Sequence, residues 1–283
     1  MRERVREALL VLPNYFKSST IIEGIAATDI FTLNTALGAT IENQVVASLN
    51  AMRPVWDPDG NYMLYSFVRQ AQTFPDVLLK RTGSVGNADI LLGIELKGWY
   101  LLSKEGEPSL RFSVTSAACA PADFVCVVPW SLTNVLSGSP QVCAPWIESA
   151  HYTASFRNHH WQHVRAVRNN ASTDIRITQG VTPYPVKSDQ IADVPVSDGG
   201  NNFGRIARTG IMNDYLAATL ATPLAGIAAA HWLAFFSIFK DDSLPAAIET
   251  AIGRMRDRLP PAEGEPSPVE MILDQCERLL AGD

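Results

Sequence analysis

Between Ile30 and Met52, apolar side chains recur in steps of three and four residues: Ile30, Leu33, Leu37, Ile41, Val45, Leu49 and Met52. That spacing predicts one amphipathic helix over 28–52, opened by Thr28 or Asp29 and ended at Arg53-Pro54, with Gly38 loosening its middle. Glu42 flanks the apolar stripe, either as an exposed boundary residue or as a carboxylate reaching inward from the helix. Downstream the period changes to two. Ile94 and Leu96 alternate with Glu95 and Lys97, which puts the carboxylate and the ammonium on one face of a strand, ~6.6 Å apart along it. Asp76 to Leu79 reads as a preceding strand, and Arg81 to Asn87, with Gly83 and Gly86, as the turn between the two. Antiparallel pairing across that turn carries Asp76 towards Glu95.

The second strand is expected to run on through Trp99 to Leu102, with a third at Leu110, Phe112 and Val114 after the polar turn Lys104 to Pro108. The apolar segment Tyr62 to Val68 fits no single state, whereas Phe124 to Val128 reads as a buried strand. Pro145 to Val167 looks helical, residues 169–202 loop-like, and the chain beyond Phe203 a set of apolar helices. A linker at Pro260 to Pro266 precedes a last amphipathic helix from Pro268 to Leu280. The expected architecture is α/β: one domain over 1–283, with a mixed central sheet between helices and a helical C-terminal subdomain at 203–283.

Composition narrows this only a little. Hydrophobic residues make up 47% and charged residues 18% of 283, which suits a globular chain with a full core. A net charge of −6 excludes a basic protein that coats nucleic acid, but leaves room for a local basic cleft. Four cysteines match no zinc spacing and are too few for a disulfide framework, so they are expected reduced and packed. The N-terminus carries both signs of charge without a signal-peptide core, which points to the cytoplasm. Leu216 to Phe239 lacks Asp, Glu, Lys and Arg and is long enough to span a bilayer; its alanines and Pro223 argue instead for a buried helix pair and no membrane.

A Glu-x-Lys triplet alone means little, since on the order of one is expected by chance in a chain this long. Here it is the only Asp/Glu-x-Lys, it sits on an expected strand, and Pro75-Asp76 lies upstream of it. Pro75-Asp76, eighteen intervening residues and then Glu95-Leu96-Lys97 resemble the PD-(D/E)xK nuclease superfamily, and the elements over 28–168 resemble a type II restriction endonuclease core. The resemblance implies Mg²⁺ held by Asp76, Glu95 and the Leu96 backbone carbonyl, with Lys97 and the bound water beside it, and Glu42 as a further carboxylate. Asp89 is an alternative to Asp76 if Leu92-Gly93 turns tightly; on a continuous strand it lies ~20 Å from Glu95.

The resemblance further implies a prokaryotic, cytoplasmic enzyme that cuts double-stranded DNA as a homodimer. Arg157, Asn158, His160, Arg165 and Arg168 are then candidates for DNA contacts, as are Arg205 and Arg208 after the loop. Their alternative is a solvated helix face. Rival functions are a structure-selective repair or junction nuclease, a non-catalytic nucleic-acid-binding module, and a membrane-anchored protein. One departure is plain in the sequence: the link from the third strand to Phe124 is short for the crossover helix such cores carry.

Overall fold

The computed structural model describes residues 1–24, 32–70, 73–87, 89–164, 180, 182–185, 189, 202–238, 244–259, 266 and 268–281. Helix α1 (Arg2–Leu10) is followed by α2 (Leu33–Ala51) and the short α3 (Arg53–Trp56), with Pro54 in its first turn. Leu33, Ile41, Val45, Leu49 and Met52 are buried as the periodicity predicts, and Gly38 does not interrupt α2. The expected helix start at Thr28 or Asp29 lies outside the described residues. The undecided Tyr62–Val68 segment contributes β1 (Tyr65–Arg69), which pairs antiparallel with β2 (Val77–Arg81). β2 pairs antiparallel with the long β3 (Ile90–Tyr100), and the intervening turn uses positive φ at Gly83 and Gly86.

The chain then crosses over and returns as β4 (Phe124–Leu132), parallel to β3 over Ile94 to Tyr100. All nine residues of β4 are buried, the continuous apolar run expected of a strand covered on both faces. Two short strands share its far edge, β5 (Pro140–Val142) and β6 (Trp146–Ser149), both antiparallel to it. The result is a six-stranded mixed sheet flanked by helices, an α/β fold.

Two expectations are corrected here. Residues 110–114 form no third strand beside β3. Leu110 and Phe112 are buried as their alternation suggested. Their backbone, however, pairs elsewhere, with Phe112 N donating to Gly204 O (2.7 Å) and Ile206 N to Leu110 O (3.2 Å). The crossover 101–123 contains a single 3-10 turn, Ser116–Ala118, and no long helix. The expected helix over 145–167 is also shorter. Trp146 to Ser149 is drawn into the sheet as β6, and α4 (Ala150–His159) starts after Ser149, whose Oγ accepts from Tyr152 N. A π-helical turn follows at His160–Val164.

The C-terminal part holds α5 (Asn213–Leu220), the hairpin β7 (Pro223–Leu224) and β8 (Ile227–Ala228), α6 (Ala229–Phe236), α7 (Pro245–Arg256) and α8 (Pro268–Ala281). Pro223 thus opens a hairpin between two helices, and among the described residues no helix is long and apolar enough to cross a membrane. One buried cluster runs from Val5 to Leu273. None of the four cysteines forms a disulfide; Cys119 and Cys126 are buried. The linker expected at 260–266 lies outside the described residues except for Pro266.

Candidate active site

The β2–β3 ladder ends at Val77 opposite Ile94. Beyond that point no strand pairs with the β2 side of β3, and Asp76 fills the first gap. Its Oδ2 accepts a hydrogen bond from Leu96 N at 3.0 Å, so a side chain takes the place of the next ladder carbonyl. A strand residue sends its N–H and C=O to the same edge, which turns the Leu96 carbonyl towards this gap as well. Gly93 makes the close approach possible: a Cβ there would lie 2.3 Å from Cγ of Pro75, the residue before Asp76. Because β3 is continuous, Asp89 stays at its far end, beside Arg81, and takes no part in the gap.

A pocket of about 270 Å³ opens here, lined by Glu42, Asp76, Glu95, Leu96, Lys97, Ser109, Leu110 and Arg111. Glu42 arrives from α2 and is held by Arg69 at the end of β1, whose guanidinium reaches Glu42 Oε2 (3.1 Å) and Asn43 Oδ1 (3.0 Å). Oε2 of Glu95 is buried with no hydrogen-bond partner. Burial, then the charges of Asp76 and Glu42, push the Glu95 carboxyl up to about 8, against the opposing pull of the Asp76 backbone N–H and of Lys97. Asp76 is also raised, by burial first and then by Glu42; the Leu96 N–H, Arg69 and Lys97 pull the other way. Lys97 makes no ion pair among the described residues.

The residues fit a small divalent cation. They are hard oxygen donors, and two of them are carboxyls whose ionisation is made harder, by burial first, then for Glu95 by Asp76 and for both by Glu42, which a cation would counter. The orphaned Glu95 oxygen is the clearest sign, because a buried acceptor left unpaired costs stability unless something occupies it in use. No cluster of three or more His, Cys, Asp or Glu side chains able to hold a metal occurs among the described residues, but Mg²⁺ needs only one or two carboxylates and keeps its waters.

The expected DNA contacts fare differently. Arg157 is a correction: it is 0% exposed. Its NH1 donates to Phe112 O (2.6 Å) and Val114 O (2.7 Å), and the rest of its fork to Asn158 Oδ1 (3.2 and 2.8 Å). It satisfies carbonyls that a neighbouring strand would otherwise take, and it occupies Asn158 as well. Arg205 is 8% exposed and paired with Glu105 (3.4 Å) and Glu107 (3.1 Å), while Arg208 holds Glu107 (2.8 Å) and Asn202. His160 packs edge-on against Trp161. Arg165 and Arg168 lie outside the described residues. Reading the sequence missed Arg69, Ser109 and Arg111. Only the register of β1 on β2 brings Arg69 beside the acids, and only the path of the crossover brings the other two.

No family model matches the chain. Nor does any curated protein or solved structure match it significantly. The functional reading therefore rests on the pocket itself.

Proposed function

We propose that the protein is a Mg²⁺-dependent endonuclease of the type II restriction class, hydrolysing phosphodiester bonds of double-stranded DNA on a restriction-endonuclease-like core. The observation that carries this reading is the pairing of two half-buried carboxyls, one with a buried oxygen that has no hydrogen-bond partner among the described residues, beside an ammonium that makes no ion pair among them. Asp76, Glu95 and the Leu96 carbonyl would hold the cation, with Glu42, in its pair with Arg69, as a further carboxylate beside them. A bound Mg²⁺ would supply a more acidic water and positive charge against the phosphate.

Lys97 is two residues along the strand from Glu95. There it orients the attacking water, takes its proton when uncharged, or stabilises the charge that builds on the phosphate oxygens. The water oxygen bonds to phosphorus, the ester P–O bond breaks, and the departing oxygen collects a proton. Cutting both strands of a symmetric site asks for two such centres, so the working form in this reading is a homodimer.

One observation favours a second reading on the same core. Arg157, Arg205 and Arg208 are committed to protein partners, which removes three candidates for reading bases and suits a nuclease selective for DNA structure. Purified protein incubated with supercoiled plasmid and Mg²⁺ separates the two. Discrete fragments that disappear with EDTA and in Lys97→Ala mean a restriction enzyme. Cutting confined to branched DNA means the second reading, and cleavage retained by Lys97→Ala refutes the site.

A further inference from the structure

We propose that Arg111 is the side chain that grips the substrate's phosphate at this pocket. The inference rests on the phosphodiester reading and names the residue that binds the substrate's anionic group. Arg111 lines the pocket with Asp76, Glu95 and Lys97. It is exposed, and among the described residues its guanidinium has no hydrogen bond or ion pair. Four other described arginines of this region are committed: Arg69 to Glu42 and Asn43, Arg157 to the carbonyls of Phe112 and Val114, Arg205 and Arg208 to Glu107.

Although its head is free, its backbone is fixed. Arg111 forms an antiparallel bridge with Arg205, flanked by the Phe112–Gly204 and Ile206–Leu110 hydrogen bonds. A rigidly mounted arginine with an unused fork is well suited to take a phosphate in two parallel hydrogen bonds. The charge balance gives it work to do. Glu42, Asp76 and Glu95 face any incoming polyanion, Arg69 already answers Glu42, and Lys97 is committed to the chemistry.

The test is binding of the full-length protein to a short fluorescently labelled DNA duplex, read by anisotropy over a series of salt concentrations. It is carried out in the Lys97→Ala background, so that cleavage does not intervene, and set beside plasmid cleavage by the single variants. Arg111→Ala is expected to weaken binding about tenfold and to reduce the slope of log affinity against log salt by about one. Arg111→Lys should restore the slope but only part of the affinity, since charge returns without the fork. In cleavage, Arg111→Ala should raise KM more than it lowers kcat. Unchanged affinity and salt slope in Arg111→Ala would overturn the inference, even where Lys97→Ala abolishes cutting and the nuclease reading stands. Cleavage retained by Lys97→Ala would overturn the nuclease reading, while the salt slope still decides Arg111. Failure of the parent protein to bind duplex at all would overturn both.

Discussion

Two ionisable groups in this protein, Arg157 on α4 and Glu95 on β3, are treated in opposite ways. Around Arg157, all the donors of the guanidinium fork find acceptors, and the charge is spent holding the 110–114 segment to α4. Around Glu95, an oxygen is buried with nothing among the described residues to accept from, and the charge of Asp76 makes ionisation of Glu95 harder still. A satisfied buried charge stabilises the fold. A frustrated one destabilises it, and a carboxyl in that state is relieved when a cation binds. The contrast fits Arg157 to structure and, in the proposed reading, Glu95 to chemistry, and each half can be broken.

The largest effect is expected from Arg157→Ala, which strands the carbonyls of Phe112 and Val114 in the interior. Stability should fall by about 3–5 kcal/mol, measured by urea denaturation; a loss under about 1 kcal/mol would show that the network is not structural. Next comes Lys97→Ala, with cleavage down at least about a hundredfold and an unchanged denaturation midpoint, because the ammonium makes no ion pair among the described residues.

Glu95→Gln should do the reverse of Arg157→Ala. In the metal-free protein the folded state keeps a proton on Glu95 up to about pH 8, whereas the unfolded chain releases it near the ordinary carboxyl value of 4.5. Between those values the folded state binds more protons. Stability is therefore full below the unfolded value and is lost as pH rises through about 8. The glutamine variant should be more stable than the parent by about 1–3 kcal/mol near pH 9, with the difference vanishing at about pH 4. Mg²⁺ affinity of the parent, followed by calorimetry, should rise across the same window as the proton is displaced, and a flat profile would contradict the raised carboxyl. The smallest effect belongs to Arg208→Ala, at most about 1 kcal/mol, since its pair with Glu107 is partly exposed and Arg205 still answers that carboxylate.

How far the sequence reached follows the range of the forces involved. The stripe of α2 and the alternation at Ile94 to Lys97 are local patterns, and both elements form where they were expected. Asp76 was legible because an antiparallel hairpin with a glycine-bearing turn has few possible registers. The third strand was misassigned because alternation reports burial, not which backbone lies alongside; 110–112 pairs with 204–206, more than ninety residues later. Arg157 was misread because a row of arginine, asparagine and histidines looks alike whether it faces solvent or caps buried carbonyls. Arg69 and Arg111 left no signal, since each reaches the pocket only through long-range pairing.

The hydrogen in place of a side chain at Gly93 acts as a spacer for the acidic pocket. A methyl there would press into the ring of Pro75 and shift the aspartate that follows it, opening the gap between the two acids without touching either. In the proposed reading the fit of the cation would thus be governed from a position with no functional group, and Gly93→Ala should produce a folded protein whose hydrolysis favours a larger ion.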